Sequence, residues 1–129
     1  TPFSLRGEVV KGKQNGRLFG FPTANLDLKS DLKMLPPDGI YVVNVKLESG
    51  NIQQGILSIG TNPTVSESNI RTVEVYLLDF SADLYGTILD VQLLHFIRSS
   101  KKFDSIEILI QQMKEDEIYT RNYFATVYQ

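Results

Sequence analysis

Between Gly39 and Ile59 the chain reads GIYVVNVKLESGNIQQGILSI, in which Tyr41, Val43, Val45 and Leu47 stand two apart with Asn44 and Lys46 between them. A period of two marks a strand with one buried face, and Ser49-Gly50-Asn51 supplies turn residues before Ile52 restarts an extended run. A β-hairpin is predicted. The segment VEVYLLDF places Val73, Val75 and Leu77 on one face and Glu74, Tyr76 and Leu78 on the other. From Ile88 to Ile97, after the turn residues Asp83-Leu84-Tyr85-Gly86, apolar residues occupy both parities, which predicts a strand covered on both sides. Adding strands around Leu5–Val10 and Ala24–Leu28 brings the number to about six, separated by turn signals. With no helix-long segment between strands to make a βαβ crossover, a small barrel or sandwich is favoured over a parallel sheet.

Only the C-terminus has a helical period. Asp104 followed by Glu107 resembles a capping box, and Ile106, Leu109, Ile110 and Met113 continue at i, i+3, i+4 and i+7. The run from Glu115 to Val127 is expected to form a second, short helix or the continuation of one bent helix. Two polar stretches, Lys29 to Asp38 with Pro36-Pro37 and Val65 to Arg71, are expected to be long loops, which often carry function.

Composition narrows the function classes. At 129 residues and 42% hydrophobic the chain has the size and apolar content of one domain with one core. It has no cysteine, so a disulfide framework and a thiolate metal site are excluded and the reducing cytoplasm is the default compartment. The lone His95 allows no histidine cluster and reads as a core or surface residue. No apolar run nears the roughly 20 residues of a membrane span, and no basic-then-apolar leader opens the chain, so no membrane partner is expected. A net charge of −2 and a pI near 5.3 provide no broad basic field. A nucleic-acid partner is therefore not expected. The opening residue, Thr1, suggests a piece cut from a longer protein.

Chemistry concentrates in a few stretches. Gly12, Gly16 and Gly20 recur every four residues, with Lys11, Lys13, Gln14, Asn15 and Arg17 between them. A loop of this kind offers backbone N–H groups and cations to an oligophosphate, and the same composition suits an ordinary glycine-rich surface loop. It is neither a Walker A loop, because no Gly-Lys-Ser/Thr follows, nor a Rossmann fingerprint, because no helical pattern follows. Pro22 then biases Phe21 toward extension, and continued extension would turn Thr23 and Asn25 to one side. Two neutral oxygens suit Mg²⁺ already neutralised by phosphates, although Thr and Asn also serve as caps and turn residues. Glu74 is an acid inside an apolar strand. It either faces solvent or a basic partner, or, if its face lines a pocket, acts as a general base on a rigid element. Arg98, Lys101 and Phe103 lie between the last strand and the helix, where two cations and a ring could hold a planar anion. A solvated loop with Phe103 stapled against Ile108 fits them equally.

In order and spacing, Gly-Phe-Pro-Thr-Ala-Asn at 20 to 25, Ser58-Ile59-Gly60-Thr61-Asn62-Pro63-Thr64, Val73-Glu74-Val75, Asp83-Leu84-Tyr85-Gly86, and Ile97-Arg98 through Lys101 and Phe103-Asp104-Ser105 resemble the riboflavin kinase family. The nearest form is the C-terminal kinase module of bacterial bifunctional riboflavin kinase/FMN adenylyltransferase. The resemblance implies a mainly β domain over residues 1–129: a six-stranded antiparallel Greek-key barrel over about 3–98, with a C-terminal helical segment over about 104–127 packed on it. It implies ATP-dependent phosphorylation of the riboflavin 5′-hydroxyl to FMN, with ATP as co-substrate and Mg²⁺ or a similar cation as cofactor. By that resemblance Glu74 is the catalytic base, and Thr23 and Asn25 hold the metal. Gly12, Lys13, Gly16, Arg17, Gly20 and Pro22 meet the nucleotide with Leu77, Asp79 and Tyr85, while Arg98, Lys101 and Phe103 face riboflavin or FMN. An N-terminal FMN adenylyltransferase domain is the implied partner in a longer chain. Phe19, Tyr76 and Ser100 depart from the usual Leu, His and acidic residue. The alternative is a non-catalytic flavin- or nucleotide-binding regulatory module, which would need no base.

Overall fold

The computed structural model describes residues 3–10, 23–28, 35–61, 71–80, 83–100 and 105–127. They form strands β1 (Phe3–Val10), β2 (Thr23–Asp27), β3 (Gly39–Lys46), β4 (Ile52–Thr61), β5 (Arg71–Leu77) and β6 (Ile88–Arg98), followed by helix α1 (Ile106–Val127). The strands close into an antiparallel barrel in the order β1-β2-β5-β4-β3-β6. Within it β3, β4 and β5 are sequential neighbours and β6 returns beside β3, which is the Greek-key arrangement. Closure removes the free edges that an open sheet of this size would present.

Alternation determines which side chains fill the barrel. Tyr41, Val43 and Val45 of β3, Leu57 and Ile59 of β4, Val73 and Val75 of β5, and Leu89 and Val91 of β6 point inward into one buried cluster. The β3–β4 connection follows the expected hairpin: Gly50 N donates to Leu47 O at 2.9 Å, and Leu47 N to Asn51 O at 2.8 Å. Gly50 takes φ 96°, a left-handed conformation that a β-carbon would oppose.

The mixed parity of β6 has a different cause from the one expected. Against β3 its register shifts twice, between Ile40 and Tyr41 and between Val42 and Val43, so the inward and outward sets exchange along the strand. Its outer side is not uniformly covered, since Asp90 is exposed while Gln92 and Leu94 are half-buried.

The C-terminal segment is one helix of 22 residues rather than two. Leu109, Met113, Asp116, Thr120 and Phe124 lie at helical spacing on its buried or half-buried side, and no glycine or proline interrupts it. Its N-cap is Ser105, whose Oγ accepts from Ile108 N at 3.2 Å. Asp104, expected in that role, lies outside the described residues. The helix crosses the outer side of the barrel, where Ile40, Val42, Ile56 and Leu78 are buried at positions opposite in parity to the barrel core. A second apolar layer is thus added to a domain whose barrel interior is narrow. Among the described residues, no helix is long and apolar enough to cross a membrane.

Candidate functional site

The antiparallel register brings the separated sequence candidates together. Asn25 of β2 stands directly opposite Glu74 of β5, and Glu74 stands opposite Ser58 of β4. Neighbouring strands lie ~4.8 Å apart, so these residues form a row about 10 Å long across three strands. Their neighbours Leu26, Val73, Val75, Leu57 and Ile59 fill the barrel, so the row itself faces outward. Asn25, Glu74 and Ser58 are all half-buried, which places the carboxylate on a rigid, partly sheltered wall rather than in bulk water.

One atom in this row has an unmet need. Asn25 Oδ1 is buried and has no hydrogen-bond partner among the described residues. A buried carbonyl oxygen left in this state costs free energy unless something arrives to accept its lone pairs. A hard divalent cation carrying phosphate oxygens and water is chemically suited to a neutral oxygen of this type. The described residues contain no cluster of three or more His, Asp or Glu side chains that could hold a metal without such help. The donor set therefore fits a cation that arrives with its own anionic ligands. Thr23 stands opposite Tyr76 in the register, two residues before Asn25 on β2.

The other sequence candidates differ in where they lie. Gly12, Lys13, Gly16, Arg17, Gly20, Pro22, Lys101 and Phe103 lie outside the described residues. Leu77 is buried in the barrel core at the end of β5. Tyr85 is exposed in the turn before β6, its N–H donating to Asp83 Oδ1 at 3.0 Å. Asp79, with φ 54°, follows β5 and receives two hydrogen bonds from Arg121 of α1, at 2.8 and 3.0 Å. That pairing holds its carboxyl below the ordinary aspartate range and raises the Arg121 guanidinium.

Arg98 has a partner that its sequence position did not suggest. Its Nε and one terminal nitrogen donate to the two carboxylate oxygens of Asp116 at 3.0 and 2.8 Å, a bidentate pair in which Asp116 is only 7% exposed. Gln112 Nε2 adds a third donor to Asp116 at 3.1 Å. The other guanidinium nitrogen of Arg98 donates to Ser99 O at 3.2 Å, at the root of the segment that carries Lys101 and Phe103. Close by, a β-carbon added at Gly60 would come within 3.0 Å of Ser100 Oγ, so the chain leaving β6 lies against β4 two residues beyond Ser58.

Asp116, Gln112, Glu117 and Arg121 were all missed in the sequence, although Leu109, Met113, Asp116, Thr120 and Phe124 share one helical spacing. His95 takes the surface position, one of the two expected of it. It is exposed and stacks on Tyr119 and Tyr123, and its Nε2 lies 2.7 Å from Tyr119 Oη.

Tyr76, two residues beyond Glu74 on the same face, donates to Glu117 Oε1 at 3.1 Å. Burial, followed by the hydrogen bond and charge of Glu117, pushes its hydroxyl up to about 12 from 10. The folded protein therefore keeps a proton that the unfolded chain releases first. Stability from this source is complete below about pH 10 and is lost as pH rises toward about 12. Tyr76→Phe is expected to flatten that alkaline decline relative to the parent. Urea midpoints measured across the interval check it, and parallel curves for the two proteins would count against the shift.

The profile of the riboflavin kinase (flavokinase) family matches residues 1–124. A bifunctional riboflavin kinase/FMN adenylyltransferase of Listeria monocytogenes is 37% identical over 124 residues, covering 96% of this chain and 39% of its own length. Among solved structures, one from Streptococcus pneumoniae that bears the name macrolide-efflux protein superposes with a TM-score of 0.81 at 38% identity, over 95% of this chain and 39% of that one. Riboflavin kinase from Trypanosoma brucei superposes with a TM-score of 0.65 at 30% identity, over 96% and 80% respectively. The chain spans about two-fifths of the length of the bifunctional relatives it matches.

Proposed function

Because the chain belongs to the riboflavin kinase family, we propose that it transfers the γ-phosphoryl group of ATP to the 5′-hydroxyl of riboflavin, giving FMN and ADP. Within a longer protein it would act as a cytoplasmic kinase module beside an FMN adenylyltransferase domain. The observation that carries the reading is the direct cross-strand pairing of Asn25 with Glu74 on an outward, half-sheltered row.

In this reading the Glu74 carboxylate accepts the proton of the riboflavin 5′-hydroxyl as that oxygen bonds to the γ-phosphorus. The bond from the γ-phosphorus to the bridging oxygen breaks, and ADP leaves with the electron pair. Phosphoryl transfer needs little covalent help from protein, so most of the effect comes from alignment and charge. Thr23 and Asn25 would hold Mg²⁺, and the orphaned Asn25 Oδ1 supports that part. The bound cation would neutralise charge on the phosphates. Gly12, Lys13, Gly16, Arg17, Gly20 and Pro22 would surround those phosphates, and Leu77, Asp79 and Tyr85 the rest of the nucleotide. Lys101 and Phe103 would face the flavin, with Arg98 at the root of their segment.

Incubation with riboflavin, ATP and Mg²⁺ should yield FMN on chromatography, whereas a flavin- or nucleotide-binding regulator would bind without turnover. Asn25→Ala and Thr23→Ala are each expected to weaken Mg-ADP binding by about tenfold or more while leaving metal-free ADP binding little changed. Calorimetric titration with and without Mg²⁺ measures this, and equal losses in both would remove the ligand role.

A further inference from the structure

We propose that Glu117 and Arg121 of α1 are positioning residues for the transfer, clamping the end of β5 that carries the base. The proposal rests on the kinase reading above. Four hydrogen bonds form the clamp: Tyr76 Oη donates to Glu117 Oε1 at 3.1 Å, Arg121 Nε donates to Glu117 Oε2 at 3.1 Å, and the two terminal nitrogens of Arg121 donate to Asp79 at 2.8 and 3.0 Å. Glu117 and Arg121 are one helical turn apart, and Tyr76 and Asp79 are three residues apart, so one turn of helix grips both ends of a short segment. That segment begins two residues after Glu74, opposite Thr23, and ends at Asp79, the residue assigned to the nucleotide side.

The physical character of the contacts indicates alignment rather than bulk stability. Arg121 and Asp79 are 41% and 76% exposed, and exposed ion pairs contribute little to folding. A guanidinium fork on a carboxylate nevertheless fixes direction as well as distance. Asp79 also holds φ 54°, in the left-handed region that aspartate enters more readily than most residues, and the Arg121 fork grips its carboxylate at that turn. Releasing Arg121 would free this turn and, through Glu117 and Tyr76, the outer face of β5 next to Glu74. Small displacements of reacting groups are costly in turnover even when the fold survives.

Steady-state kinetics in both substrates tests the clamp. Arg121→Ala is expected to lower kcat by ~10-fold and raise the KM for ATP several-fold, with the KM for riboflavin changed less than about twofold. Glu117→Gln should move the same parameters in the same direction, and Arg121→Lys, which keeps charge without the fork, should recover only part of the loss. Arg6→Ala, which breaks the exposed Arg6–Asp90 pair at 3.6 Å, is the control and should match the parent. A purely structural defect would reduce the active fraction and leave both KM values where they were, so kcat loss without an ATP KM shift overturns the proposal. So does parental behaviour of folded Arg121→Ala and Glu117→Gln. Failure of the parent protein to form FMN would instead remove the kinase reading, and the clamp's role with it.

Discussion

Glu74→Gln is expected to lower turnover by ~10²–10⁴-fold while nucleotide affinity stays near that of the parent, because general-base action typically contributes on that order. In barrier terms this is roughly 3–5 kcal/mol. The substitution keeps the length and nearly the volume of the side chain but removes its ability to take a proton. Glu74 sits mid-strand with register partners on both sides, Asn25 and Ser58, so its backbone has little freedom to rearrange. Gln keeps an acceptor oxygen and nearly the same volume, so the variant should remain folded, which thermal unfolding checks. Loss of turnover with intact folding and intact Mg-ADP binding isolates the proton-accepting role. Unchanged turnover would exclude it, and equal losses in turnover and nucleotide binding would point to a damaged site.

Glu74, the proposed base, stands out in the sequence as an anomaly, one acid in the apolar run VEVYLL. What it did there depended on which residues stand beside it, and register between β2 and β5 is a property of the closed barrel. Alternation within each strand fixes which side chains point inward, and for β3 and β5 the hydrophobic pattern sorted the two faces as the barrel has them. It could not say that β2 pairs with β5, whose partner residues lie 47 to 53 positions later in the chain, because long-range pairing leaves no local trace. The same limit applies to β6, where two register shifts scrambled the parity and imitated a strand buried on both sides.

Helix α1 was harder to read for a different reason. Its buried stripe passes through Asp116 and Thr120, and polar residues at core positions break a hydrophobic period. The stripe then left a second short helix and one bent helix both open. Thr120 satisfies its own hydroxyl by donating to Asp116 O one turn earlier at 2.8 Å, and the Asp116 carboxylate is satisfied by Arg98 of β6 together with Gln112 of the same helix. Arg98 was visible as a cation beside the C-terminal loop, yet its partner is 18 residues away on the helix. Sequence spacing identified the charge and missed what it holds.

Asp116→Ala is expected to destabilise the protein by ~3 kcal/mol, the lower part of the ~3–5 kcal/mol that follows removal of one partner from a buried ion pair. The lower part applies because Arg98 is 19% exposed and water can recover some of its solvation. The variant would leave the Arg98 guanidinium without this carboxylate and Gln112 Nε2 without its acceptor. At roughly 3–5 °C per kcal/mol for a chain of this size, the melting temperature should fall by about 10 °C. Asp116→Asn, which keeps the shape and one acceptor oxygen, should cost less. The double variant Arg98→Met/Asp116→Leu replaces both charges with apolar volume and should recover most of the lost stability, since it is the unpaired charge rather than the missing pair that is expensive. It also separates the two roles open to Arg98. If the double variant melts near the parent but shows a raised KM for riboflavin, Arg98 serves the flavin side as well as the helix. If both values return to those of the parent, Arg98 anchors α1 to β6 and the flavin-side assignment falls to Lys101 and Phe103 alone.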